Sequence, residues 1–164
     1  MAITTGSAHL PALGEHQRQE IGNELQAELI ELIDLSLLGK QLHWSVVGPG
    51  FRPLHLQLDE LIDAWRDAGD VVAERAVALG FFPEGQARAV AADSPVEGVE
   101  RGPIEDHAVI QQLAIRLAGV AERTRERMDR LAELDSASED VLVGVIRSLE
   151  EQLWMIRAQL PHGR

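Results

Sequence analysis

Apolar residues return every three or four positions along most of this chain, the spacing of helices that bury one face. From about Glu15 to Val47 the repeat runs through Ile21, Leu25, Leu29, Leu32, Ile33 and Leu35, and Gly48-Pro49-Gly50 then stops it. A second helix, with Pro53 in its first turn, carries Leu54, Leu58, Leu61, Ile62, Trp65, Ala68 and Val72 on one side and runs to Leu79, with Gly80 as its stop. So short a turn makes these two helices antiparallel neighbours.

Residues 81–102 are rich in Gly, Pro and Ala and leave room only for a short helix, expected around Pro95 to Val99. Beyond this crossover, Ile110, Leu113, Leu117, Val120, Thr124, Met128 and Leu131 form a narrow seam on a third helix from about Pro103 to Leu134. Ser136, with Glu139 three residues on, reads as a capping box for a fourth helix marked by Leu142, Val145, Ile146, Leu149, Leu153, Ile156 and Leu160, and Pro161 ends it. Two short turns flanking one long connection predict an all-α fold, a ferritin-like four-helix bundle with a single crossover. The expected organisation is a tail over residues 1–14, the bundle over 15–160 and a short tail over 161–164.

At 164 residues and 45% hydrophobic content, one domain can bury a real core. The 27 acidic against 15 basic residues leave a formal charge of −12, a poor balance for gripping phosphate backbones and a good one for cations. The chain has no cysteine, which excludes thiolate-bound metals and suits a reducing cytoplasm. No stretch approaches about 18 uninterrupted apolar residues, and the N-terminal residues lack a signal-peptide pattern, so a soluble cytoplasmic protein without a membrane partner is expected.

Charge adds a chemical hint to the second helix. His55 and Asp59 stand four apart, as do Asp70 and Glu74, and the eleven residues between Asp59 and Asp70 make about three turns, so all four share one helical face. Imidazole plus carboxylate is a ligand set for Fe(II), Mn(II) or Zn(II). At about 1.5 Å per residue, His55 and Glu74 lie roughly 28 Å apart, too far for one ion to bridge. Two copies of the helix packed antiparallel about a two-fold axis near Trp65 would bring the His55/Asp59 end of one to the Asp70/Glu74 end of the other, making two equal sites. Asp63 and Asp67 fall on the same stripe, which plain solvation would also explain, and periodicity leaves both readings open. The chain contains no Glu-x-x-His, the pair that di-iron bundles use when each subunit closes its own centre.

The run from Gly39 to Glu60, GKQLHWSVVGPGFRPLHLQLDE, followed by Asp70-Val-Val-Ala-Glu-Arg75, resembles the signature of the Dps miniferritins, the DNA-binding proteins from starved cells. The resemblance implies iron as substrate, with His43, His55 and Asp59 as ligands from one subunit and Asp70 and Glu74 from its two-fold mate. It further implies a homo-oligomeric shell of twelve subunits that oxidises Fe(II) with hydrogen peroxide or dioxygen, stores ferric oxide and needs no organic cofactor. Trp44 and Trp154 are similar to the family's tryptophans beside that centre, although core packing explains an indole equally well. Asp135, Glu139 and Asp140 sit at the turn that lines the family's iron-entry pores, yet acids at a helix start also favour its dipole. DNA-condensing members use lysine-rich tails, whereas here residues 1–17 hold no Lys or Arg, which argues against DNA as a direct partner.

Overall fold

The computed structural model describes residues 10–160. The first nine residues and the last four, on which the expected tails partly fall, lie outside the described residues. The described residues form four long helices, α1 (Glu15–Ser45), α2 (Phe51–Ala78), α4 (Asp106–Ala132) and α5 (Ser136–Arg157), one short helix, α3 (Ala87–Asp93), and two two-residue strands, β1 (Val46–Val47) and β2 (Ile104–Glu105). Helices α1 and α2 form one antiparallel pair and α4 and α5 the other, closed around a core that includes Leu25, Leu32, Leu58, Ile62, Leu113, Leu117 and Leu142. This is the expected ferritin-like bundle with one long crossover.

Three local expectations fail, each for a physical reason. The short helix occupies Ala87–Asp93 rather than Pro95 to Val99, because Ala, Arg and Val sustain a helix where Pro95 and Gly98 interrupt one; Val90 anchors it as its buried residue. Helix α1 ends at Ser45 and α4 begins at Asp106, since Val46 pairs with Ile104 and Val47 with Glu105 in a parallel bridge. That bridge fastens the end of the crossover to the α1–α2 turn. Finally, the cap of α5 is Asp135, whose side chain accepts from the Ser138 backbone N–H at 3.0 Å, so Ser136 lies within the helix and the capping box does not form.

Two glycines let the α1–α2 hairpin close. Gly48 adopts φ +111°, a left-handed conformation that L side chains rarely adopt. A Cβ on Gly39 would lie 2.7 Å from the Trp65 ring and 2.8 Å from Ile62, so only glycine admits so close a crossing. Trp65 itself is 1% exposed and its indole N–H donates to Gln152 of α5 at 2.7 Å. Its ring therefore belongs to this subunit's own core.

Candidate metal centre

The hairpin turn sets His43, near the end of α1, against His55, in the second turn of α2. Their rings stack with centroids 3.6 Å apart and planes at 25°. His43 Nδ1–H donates to the His55 backbone carbonyl at 3.0 Å, and His55 Nδ1–H donates to the carbonyl of His43 at the same distance. A carbonyl can only accept, so both imidazoles carry their proton on Nδ1 and keep the lone pair on Nε2, the form in which an imidazole can ligate a metal. His43 is buried, and His55 half-buried.

Asp59 stands one turn after His55, its Oδ1 3.3 Å from His43 Nδ1. The same oxygen takes an ion pair from Lys40 of α1. The Lys40 hydrogen bond is the main reason that Asp59 is held below the ordinary carboxylate value, with smaller contributions from His43 and His55. Lys40 lies within the GKQLHW run but its role was invisible in sequence, because the pairing joins residues nineteen positions apart.

Around the turn, Asp106 at the head of α4 accepts from the Gly50 backbone N–H at 2.5 Å. A Cβ on Gly50 would lie 2.8 Å from that carboxylate, and one on Gly48 3.0 Å. The parallel bridge and Asp106 thus hold the five-residue link, residues 46–50, between the two helices that carry the histidines. Nothing in the local pattern marks Asp106, since its partner is 56 residues away.

Asp70 and Glu74 lie further along α2 and are both exposed. Asp70 is among the residues of a groove between α1 and α2 whose walls include Leu29, Ile33, Gly69 and Ala73. Among the described residues, no three His, Asp or Glu side chains converge so as to hold a metal ion within this one chain. His43 lies against both His55 and Asp59 without the three closing on one point, and Asp70 and Glu74 stay apart from them.

The other residues singled out in sequence divide. Trp44 and Trp154 are 71% and 68% exposed, so core packing accounts for neither. Asp135 is occupied as the α5 cap and by Arg75, whereas Asp140 is exposed and Glu139 half-buried one turn on. No helix among the described residues is long and apolar enough to cross a membrane.

Comparison with known proteins agrees with this layout. The sequence matches the ferritin-like domain family over residues 22–164. It is 34% identical over 153 residues to the DNA protection during starvation protein of Mycolicibacterium smegmatis, spanning 92% of this chain and 82% of that protein. It is 37% identical over 145 residues to the fine tangled pili major subunit of Haemophilus ducreyi, spanning 87% of this chain and 76% of that one. The fold superposes on Mycobacterium smegmatis Dps in its tetragonal form with a TM-score of 0.90 at 32% identity, covering 96% of this chain and 95% of the other.

Proposed function

This chain belongs to the ferritin-like domain family and, within it, to the Dps miniferritins, and from that premise we propose that it oxidises Fe(II) at paired inter-subunit sites. His43, His55 and Asp59 of one subunit and Asp70 and Glu74 of its two-fold mate are the ligands in this reading. The ferric product accumulates as oxide inside a cytoplasmic shell of twelve subunits. The observation that carries the proposal is the reciprocal pair of Nδ1–H bonds, which presents two Nε2 lone pairs with a carboxylate one turn away, while among the described residues no three such ligands converge.

The protein's contribution is proximity and ligand charge. Two Fe(II) ions held side by side each give up one electron, so one hydrogen peroxide plus two protons becomes two waters with no one-electron product released. With dioxygen as oxidant the same two electrons would yield peroxide, which a second pair of ions then consumes. The carboxylates favour the ferric state because its extra positive charge interacts more strongly with them. In this reading Trp44 and Trp154, both exposed, would meet a neighbouring subunit and intercept stray oxidant there. Glu139 and Asp140 would draw cations toward the interior.

Protection of DNA would follow from removing Fe(II) and peroxide rather than from contact, given the charge of −12 and the lack of Lys and Arg in the first seventeen positions. Anaerobic Fe(II) titration of the assembled protein followed by a peroxide pulse tests the proposal. About two Fe(II) bound per contact site and oxidised together, with no trapped hydroxyl radical, is the expected result. Normal assembly without stoichiometric Fe(II) binding would overturn it.

A further inference from the structure

Glu74 and Arg75 are consecutive in the last turns of α2 but point to different surroundings. Glu74 is exposed, whereas Arg75 reaches across to the α4–α5 turn, its side chain 21% exposed. There Arg75 Nε donates to Ser138 Oγ at 2.9 Å and an Nη2 hydrogen to Asp135 Oδ2 at 2.6 Å. Asp135 Oδ2 also accepts from the Ser138 backbone N–H at 3.0 Å and its hydroxyl at 2.6 Å. One guanidinium fork thereby spans both ends of the α5 cap, which an ammonium group could not do with the same planarity.

We infer that Arg75 is a positioning residue for Glu74, locking the end of α2 to the start of α5 so that the carboxylate half of the metal centre is held at a fixed height. The inference rests on the ferroxidase reading and adds a residue to it. Helix α2 ends at Ala78, one turn beyond Glu74, and terminal turns open more readily than helix interiors. Without an anchor, an exposed Glu74 would sample several positions relative to the neighbouring subunit's histidines. Arg75 supplies that anchor through groups sixty and sixty-three residues away. The same cap starts the α5 turn that carries Glu139 and Asp140, so the carboxylate ligands and the acidic turn share one rigid attachment.

The test is anaerobic Co(II) titration of the assembled full-length protein, read by visible absorption, with Fe(II) oxidation kinetics in parallel. Arg75→Gln and Asp135→Asn, on different helices, should each weaken one of the two Co(II) ions per contact about 10- to 100-fold and leave the other unchanged. KM for Fe(II) should rise more than kcat falls, Arg75→Lys should restore part of the affinity, and the double variant should be no worse than the worse single one. Wild-type affinity for both ions in Arg75→Gln, or equal weakening of both, overturns the inference. Should Arg75→Gln fail to assemble, Ser138→Ala removes the Nε contact and the hydroxyl's bond to Asp135 while keeping the Arg75–Asp135 pair; a smaller loss at the same ion supports the role and no change overturns it. A wild-type protein that binds no Co(II) pair would instead overturn the ferroxidase reading.

Discussion

His43 and His55 each donate an Nδ1–H to the other's backbone carbonyl at 3.0 Å, so each ring's orientation depends on the other residue's place in its helix. The exchange joins α1 to α2 and selects the tautomer of both rings at once. Long-range proton–nitrogen NMR of the neutral metal-free protein should show both imidazoles protonated on Nδ1, and Co(II) should broaden the Nε2 signals first. His43→Ala or His55→Ala should each lower Co(II) affinity by about 100-fold or more, since loss of a ligand exceeds the loss of an outer partner. An Nε2-protonated ring at either position would contradict the assignment.

Lys40 would compete with a metal ion for Asp59. Its ammonium is paired with Asp59 Oδ1 and holds that carboxyl below its ordinary value. A divalent ion using the same oxygen has to displace the lysine or share the carboxylate with it. Lys40→Met should therefore tighten Co(II) binding at neutral pH by roughly tenfold. Weaker binding in Lys40→Met would show instead that the lysine orients Asp59 for the ion.

Much of this was readable in the sequence because helical periodicity is local. Leu54, Leu58, Leu61, Ile62, Trp65 and Val72 are buried as their spacing predicts. The arithmetic that separates His55 from Glu74 needs only the rise per residue. What stayed hidden depends on partners distant in sequence: Lys40 on Asp59, Asp106 on Gly50 and Arg75 on Asp135. Val46, Val47 and Ile104 extend the apolar pattern of their helices, so only the pairing of Val46–Val47 with Ile104–Glu105 reveals that these are strands. Nothing local marks Glu28 and Glu31 as buried, because a charged residue amid a helical repeat reads as surface, whereas both are 0% exposed.

Those two glutamates define a buried ionic layer between α1 and α4. Arg127 Nη1 donates to Glu28 Oε2 at 2.8 Å and its Nη2 pairs with Glu31; Arg123 also grips Glu31, with Nη2 at 2.6 Å, and the Thr124 hydroxyl donates to Glu28 at 2.8 Å. Burial pushes Glu28 above its ordinary value, against the opposing pull of Arg127 and Thr124. Arg127→Leu would leave Glu28 buried without its guanidinium, at a cost of about 3–5 kcal/mol in urea unfolding at fixed protein concentration. Glu28→Gln removes the desolvated charge and leaves Arg127 with Glu31, so it should cost clearly less. The reverse order would mean that packing around Gln rather than charge governs this layer.

Asp135 gives a pH dependence whose direction is fixed. Burial alone would raise its carboxyl, but the Ser138 hydroxyl, the Arg75 guanidinium and the Ser138 backbone N–H together hold it below the ordinary 3.8. In the unfolded chain the group takes up a proton near that ordinary value, and in the folded chain only at lower pH. Its stabilisation is therefore complete above 3.8 and declines as pH falls through the lower folded value. Asp135→Asn keeps a competent helix cap but loses the charge facing Arg75, for a cost of about 1–2 kcal/mol at pH 7. Urea unfolding of both proteins from neutral pH to below 3.8 should show the gap between them closing on the acid side. A gap that stays constant across that range would mean that the Arg75 contact contributes shape without charge.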